Sequence, residues 1–367
     1  MDNYLVSARK YRPQTFDSVV GQQHITSTLK NAIRTGQLAQ AFLFCGPRGV
    51  GKTTCARILA KTINCTALTP DAEPCNECEN CRSFNEGASM NIFELDAASN
   101  NSVNDMRELV EQVAFPPQTG RYKVYIIDEV HMLSQAAFNA FLKTLEEPPA
   151  YAKFILATTE RHKVLPTIVS RCQVFDFRRI SSADIAAHLA HVAQCEGVAC
   201  EPEALHLIAR KAEGGLRDAL SLFDQMATLS AGNITLSQCL QCLNMLDYDC
   251  FFKLVDCIAA ANLAGALVLC KEVFDSGRDG QQLLTGLTSH LRNLMVSLDP
   301  ATHQLLDAGP EMGRRYAEQA ARCGLPMLLK VLEVASDCEY RYRDANNKRL
   351  FVEVSIVKIA SAATSPD

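Results

Sequence analysis

Residues 41–54 read AFLFCGPRGVGKTT: a short apolar run, then a glycine-rich loop that closes on Lys52-Thr53-Thr54. From Gly46 to Thr53 the stretch fits G-x-x-x-x-G-K-[ST], and it lies between an expected strand and an expected helix, the context in which that pattern carries chemistry. Glycines let successive backbone N–H groups turn inward around phosphate oxygens, and the N-terminus of the next helix adds a favourable dipole. The candidate nucleotide-binding residues are therefore Gly46, Pro47, Arg48, Gly49, Val50, Gly51, Lys52, Thr53 and Thr54. Lys52 is expected to bridge the β- and γ-phosphates of ATP, and Thr53 to offer its hydroxyl to Mg²⁺.

A matching acidic half follows another apolar run, Val124-Tyr-Ile-Ile-Asp128-Glu129-Val-His131. Asp128 at the end of a strand suits Mg²⁺ held through water, and Glu129 beside it suits the water that attacks the γ-phosphate. Thr158 and Thr159 follow the run KFILA, where a hydroxyl can help position that water. Arg171, in Ser170-Arg171-Cys172, is read two ways by spacing alone: paired with surface acids, or completing a site on a neighbouring subunit.

Working outward, the runs 41–45, 92–96, 123–127, 153–157 and 173–177 are each five residues long without clean alternation. That suits strands buried on both faces of a mostly parallel sheet. Between them, Phe138, Phe141, Leu142 and Leu145 share one helical face, closed by Pro148-Pro149, and Ser102 with Asp105 has the form of a capping box. The fold class expected is α/β, a P-loop parallel-sheet domain at 1–179. Strand signals vanish after about 180. Helices at 182–196, 202–213, 216–229 and 236–244 read as a small helical domain (180–244), and a further helical region fills 245–367.

Cys65 comes just after the P-loop helix, and Cys75, Cys78 and Cys81 follow at C-x2-C spacing. Four thiolates within 65–81 match a closed tetrahedral structural zinc site. An iron–sulfur cluster is the rival, but the ferredoxin-type run requires a cysteine where Asn85 stands. The linking segment TALTPDAEP (66–74) reads as a floppy excursion without metal. The other twelve of the sixteen cysteines are scattered, several (Cys239, Cys257, Cys270) on apolar helical faces where a thiol acts as a small hydrophobe. The N-terminus MDNYLVSARKYRP has no apolar signal region, and no apolar run can span a bilayer, so a cytoplasmic protein with no membrane contact is expected. A formal net charge of −5 argues against a surface uniformly coated for nucleic acid, though not against a local basic patch.

In combination, ARKYRPQTFDSVVGQ (8–22), FCGPRGVGKTTCARILAKTINC (44–65), the cysteine knuckle, VYIIDEVHMLS (124–134), NAFLKTLEEPP (139–149), FILATTE…LPTIVSRCQVFDF (154–177) and GGLRDALSLFDQ (214–225) resemble the gamma/tau ATPase subunits of the bacterial DNA polymerase III clamp loader, an AAA+ family. The helical remainder resembles that family's collar in length and character only. The resemblance implies a small helical lid at 180–244 and an oligomerising collar at 245–367. It implies that segment 8–22 lies against adenine and ribose with Val19 and Val20 near the base, that Thr159 is sensor 1 and Arg217 sensor 2, and that Arg171 is an arginine finger acting on a neighbour's ATP. It also implies a hetero-oligomer with delta- and delta-prime-type subunits, a sliding clamp that opens on ATP binding, and primed DNA held by backbone contacts. After Asp96-Ala-Ala-Ser99 the family commonly carries basic residues, whereas Asn100-Asn101-Ser102 stand here and the next cation is Arg107. The sequence ends at Ser365-Pro366-Asp367, and the extension that the resemblance assigns to helicase and polymerase binding in the long form is expected to be absent.

Two other readings share parts of this pattern. A non-hydrolysing scaffold would use the fold and knuckle only for assembly, but would have no use for Lys52, Thr53, Asp128, Glu129 and Arg171 together. A branch-migration or initiator AAA+ ATPase would share the P-loop, lack the knuckle and carry a C-terminal DNA-binding module.

Overall fold

The computed structural model describes residues 6–117, 120–230, 232–243, 248–275, 277–306 and 310–364; the expected boundary near 245 and the last three residues lie outside these. By its contacts the chain forms two units, one of residues 1–198 with 208–228 and one of 199–207 with 229–367.

In the first unit, α1 (Ser7–Lys10) and α2 (Gln23–Thr35) precede β1 (Ala41–Cys45). Then come α3 (Lys52–Ile63), α4 (Glu79–Asn85), β2 (Ile92–Asp96), α5 (Val103–Val113) and β3 (Lys123–Asp128). The sheet is completed by α6 (Gln135–Glu146), β4 (Ala152–Thr158), α7 (Pro166–Val169) and β5 (Gln173–Asp176), after which α8 (Ser182–Glu196) begins the helical part. All five strands are parallel, in the order β2-β3-β4-β1-β5.

The central strands β1, β3 and β4 lack alternation because both faces are covered, whereas β2 and β5 lie at the sheet edges and keep exposed positions, which corrects the reading that all five are buried on both faces. Phe42, Phe44, Val124, Ile126 and Ile155 pack under α2 and α3 with Ile25, Leu29, Ile58 and Leu59. Their neighbours Leu43, Tyr125, Ile127, Phe154 and Leu156 point the other way, onto Leu109 of α5 and Phe138, Phe141 and Leu145 of α6. Ser102 and Asp105 do form the capping box at α5, and Ser134 caps α6. Parallel registration places Cys45 opposite Thr158 and Asp96 opposite Asp128, so the P-loop, the acidic pair and the threonines emerge at the carboxyl ends of the strands.

Two helices complete the order between the units, α9 (Pro202–Lys211), which the division cuts, and α10 (Leu216–Leu229) of the first unit. The second unit also holds a parallel two-residue pair, β6 (Ala199–Cys200) with β7 (Asn233–Ile234), which corrects the reading that no strand follows residue 180. Such a pair is too short for a periodic signal. Helices α11 (Leu236–Cys242), α12 (Tyr248–Ala259), α13 (Leu263–Asp275), α14 (Gly280–Val296), α15 (Pro310–Cys323), α16 (Leu325–Arg341) and α17 (Lys348–Thr364) make up the rest, with Leu254, Leu287, Leu291, Val331 and Ile356 in one core.

A Cβ on Gly286 of α14 would stand 2.1 Å from Cζ of Phe251, itself part of that core. Overpacking costs up to ~3 kcal/mol and the gain in helix propensity returns about 1. Gly286→Ala is therefore expected to lower the unfolding free energy of the chain by about 2 kcal/mol, read from denaturant melts; a melt at the wild-type midpoint would show that Phe251 can move aside.

Candidate functional site

The loop after β1 enters α3 through Gly46, Gly49 and Gly51, all with positive φ. Gly46 is bound by space as well: a Cβ there would meet the carbonyl oxygen of Phe177 at 2.5 Å. The carbonyl of Gly49 accepts from the backbone N–H of Arg217 at 3.4 Å, which ties the loop to the start of α10.

Beside this loop lies a cavity of about 710 Å³. Its walls include Val19, Val20, Arg48, Gly49, Val50, Gly51, Lys52, Thr53, Thr54, Asp128, Glu129 and Arg217, all singled out by sequence. Residues from segment 6–20, the P-loop, the end of β3 and α10 thus meet around one space. Five of the residues expected at the nucleotide site do not line it: Gly46, Pro47, Thr158, Thr159 and Arg171.

Lys52 is buried, and its ammonium donates to the carbonyls of Gly46 (2.8 Å) and Pro47 (2.7 Å). Burial lowers its pKa, and the negative charges of Glu129 and Asp128 work against that shift. Thr53 Oγ1 donates to Asp128 Oδ2 at 2.7 Å, joining the P-loop helix to the end of β3. Asp128 Oδ1 accepts the Glu129 N–H at 3.0 Å.

Glu129 adopts the left-handed conformation, φ 48° and ψ 46°, which costs a residue with a Cβ about 1 kcal/mol or more. The turn aims its carboxylate at β4, where Oε2 accepts from both the N–H (3.1 Å) and the hydroxyl (3.0 Å) of Thr159. His131 stands 3.4 Å from the same oxygen and shares a 2.9 Å hydrogen bond with Thr158. The two threonines, paired in the sequence reading, therefore differ: Thr159 touches the acid, whereas Thr158 is the fully buried last residue of β4.

Arg171 follows α7, where Nη2 pairs with Glu146 at 2.7 Å and Nη1 donates to the Thr167 carbonyl at 2.6 Å. Within the single chain, the surface-pairing alternative is the one observed. Of Asn100, Asn101 and Ser102, the side chains of Asn100 and Ser102 are used within the chain: Asn100 Nδ2 donates to the Asp96 carbonyl and Ser102 caps α5, while the Asn101 backbone carbonyl accepts from the N–H of Ser134.

Sequence reasoning missed Arg12 and Asp96, which also line the cavity, and His131, which steadies Glu129. Arg12 Nε donates to Thr54 Oγ1 at 3.3 Å. The only signal for it was its place in segment 8–22, since its partner lies 42 residues away.

The four sulfurs of Cys65, Cys75, Cys78 and Cys81 all lie within 4.8 Å of one another, with Cys65–Cys75 at 3.4 Å and Cys75–Cys81 at 4.0 Å. Thiolates 2.3 Å from a single tetrahedral ion have S–S edges of about 3.8 Å, so the set fits one metal ion. Burial opposes ionisation of Cys78, but donors from Thr66 and the Cys81 backbone outweigh it and bring the thiol down to about 6. Burial holds Cys81 well above the usual thiol range. Within segment 66–74, Ala72, Glu73 and Pro74 are buried, whereas Thr66, Ala67, Leu68, Pro70 and Asp71 are exposed.

A phosphate loop after β1, an acidic pair at the end of β3, threonines at the end of β4 and an arginine at the head of a following helical bundle define a P-loop protein of the AAA+ class. Three families match in succession: "DNA polymerase III, delta subunit" over residues 21–181, "DNA polymerase III clamp loader subunit, ATPase lid domain" over 184–232, and "DNA polymerase III subunits gamma and tau domain III" over 234–367. The chain is 39% identical over 371 residues to the tau subunit of DNA polymerase III from Bacillus subtilis, covering all of this chain and 66% of that protein. It is 46% identical over 301 residues to the Escherichia coli K12 tau subunit, with 82% of this chain and 46% of that one covered. The gamma subunit of Buchnera aphidicola is 40% identical over 295 residues, 80% of this chain and 79% of the relative. The chain belongs to the gamma/tau family of DNA polymerase III clamp-loader subunits. It spans about half to two thirds of the tau proteins it matches. None of the described helices is long and apolar enough to cross a membrane.

Proposed function

We propose that the chain is the ATP-hydrolysing motor subunit of a bacterial replicative clamp loader. In this reading residues 1–179 form the ATPase domain, 180–244 the lid and 245–367 the collar through which subunits assemble. ATP binding closes the subunit interfaces and opens the sliding clamp. Primed DNA, held by its backbone, then triggers hydrolysis, and the clamp is released closed around the duplex. Delta- and delta-prime-type subunits are the partners, and the complex works in the cytoplasm.

The observation that carries this is the 2.7 Å bond between Thr53 and Asp128, inside a cavity that Lys52 and Glu129 also line. Those two oxygens suit Mg²⁺, which would neutralise charge on the β- and γ-phosphates of bound ATP. Lys52 exchanges its loop carbonyls for phosphate oxygens. Glu129, released from Thr159, orients and deprotonates the attacking water, and Thr159 and Arg217 sense the γ-phosphate. Val19 and Val20 flank the base. Arg171 leaves Glu146 and reaches a neighbour's ATP as an arginine finger. In the knuckle the ion is structural zinc, with Cys65, Cys75, Cys78 and Cys81 filling all four positions; sulfurs this close leave no room for a multi-iron cluster.

The test is steady-state ATP turnover with partner subunits, clamp and primed DNA present. Arg171→Ala is expected to reduce it at least ~10²-fold, since arginine fingers in trans contribute factors of about 10³ or more. Normal turnover by that variant in the full assembly would reject the composite site.

A further inference from the structure

The buried carboxylate of Glu73, two residues before Cys75, is used by a distant part of the chain. Its oxygens accept from the backbone N–H groups of Phe16 (2.7 Å) and Asp17 (3.0 Å), and Lys30 pairs with it at 2.7 Å. Glu73 is only 7% exposed, so these three donors replace the water it gave up. The Phe16 carbonyl in turn accepts from the N–H of Val19 at 3.2 Å, within the turn that delivers Val19 and Val20 to the cavity wall.

A second link runs through Lys61, on the helix that begins at the P-loop. It is 2% exposed, an uncommon fate for a lysine. Its ammonium donates to Gln14 Oε1 (2.9 Å), Asn76 Oδ1 (2.5 Å) and Asn85 Oδ1 (3.1 Å). One acceptor comes from the N-terminal segment, one from the loop between Cys75 and Cys78, and one from the end of α4. Residues 14–17 contribute little regular structure of their own and are held from two sides: by Glu73, two residues before the first cysteine of the C-x2-C run, and by Lys61, whose ammonium is shared with Asn76 between Cys75 and Cys78.

We propose that Glu73 and Lys61 are positioning residues through which the cysteine knuckle sets the base-side wall of the nucleotide cavity. The knuckle is then a control on nucleotide affinity as well as a staple. The proposal rests on the reading of the cavity as an ATP site with Val19 and Val20 beside the base. A segment held in its binding-competent form only part of the time lowers apparent affinity by that fraction.

The experiment uses the full chain and three measurements: bound metal per chain, displacement of a fluorescent ATP analogue by ATP and by inorganic tripolyphosphate, and amide exchange over residues 14–20. Glu73→Ala is expected to keep its metal yet bind ATP about tenfold more weakly, with faster exchange over 14–20. Tripolyphosphate, which has no base, should bind as in the wild type, a split that general loosening of the fold would not produce. Chelated wild type should reproduce the same split. Should Glu73→Ala not fold, Glu73→Gln is read on the same measures, and an affinity loss of about threefold is expected. ATP affinity at the wild-type value in the metal-bearing variant overturns the coupling. A Lys52→Ala control that still binds ATP normally overturns the site reading, and the coupling with it.

Discussion

Glu129→Gln is expected to lower ATP turnover of the assembled complex about 10³-fold while leaving ATP affinity within about twofold. Glutamine has the same shape and keeps a carbonyl oxygen that can accept from the N–H and hydroxyl of Thr159, as Oε2 does now. The backbone at 129 can stay in its left-handed conformation, because the hydrogen bond from its N–H to Asp128 involves no side-chain atom of residue 129. What disappears is the charge and the capacity to take a proton from water. A factor of 10³ corresponds to about 4 kcal/mol of barrier, within the range expected for losing a positioned base together with its field. Lys52→Ala should behave differently and lose nucleotide binding itself, since it removes the buried ammonium that the phosphate loop's own carbonyls hold at the cavity wall. Phosphate-release kinetics beside nucleotide titration separate the two effects. Turnover by Glu129→Gln within tenfold of wild type would remove Glu129 from the chemistry.

The parts of this site legible in the sequence are those built by neighbours along the chain. The three central strands could be read because each is short, apolar on both faces and leads at its carboxyl end into the residues that matter: the P-loop after Cys45, the acids after Ile127, Thr159 after Thr158. The four cysteines could be read because tetrahedral coordination leaves a short-range spacing. Contacts between distant segments left no such trace. Glu73 sits in a polar, proline-containing stretch that reads as loop, and its burial is decided by backbone donors 57 and 56 residues away. Lys61 looks like a solvated charge on an otherwise apolar helix until three amide carbonyls surround it. His131 could be read as the last letter of the acidic motif, but not as a partner of Thr158 across the β3–β4 pair. Arg171 marks the other limit. A single chain offers it Glu146, and the alternative partner that the family resemblance implies belongs to another molecule.

Removing the metal is the second large perturbation, and its effect should be confined. Cys81→Ser is expected to abolish stoichiometric zinc binding and to make residues 65–85 the first site of proteolysis, with the parallel sheet still folded. Cys81 is fully buried, so a serine there leaves a hydroxyl without a thiolate's affinity for a soft ion, and the remaining three ligands form an open site. The excursion has little to hold it otherwise: α4 is seven residues long, and both Ala72 and Asn76 take positive φ, a conformation that costs non-glycine residues and must be enforced from outside. The two cores that flank the sheet are built almost wholly from other residues, with Phe84 the one contribution from α4. A loss of ~2 kcal/mol in a unit of this size lowers its thermal midpoint by roughly 4 °C. Acid should mimic the substitution in part, because protons compete with the ion for the thiolates, so zinc retention is fully present at neutral pH and declines as pH falls. Metal analysis, limited proteolysis and a thermal melt on the same preparations check all three points. Iron in the wild-type protein, or a Cys81→Ser chain that keeps its zinc and its protease resistance, would reject the site. If the sheet itself unfolded on zinc loss, the knuckle would be part of the folding core, and the buried Lys61 and Glu73 contacts would have to carry far more stability than three hydrogen bonds apiece provide.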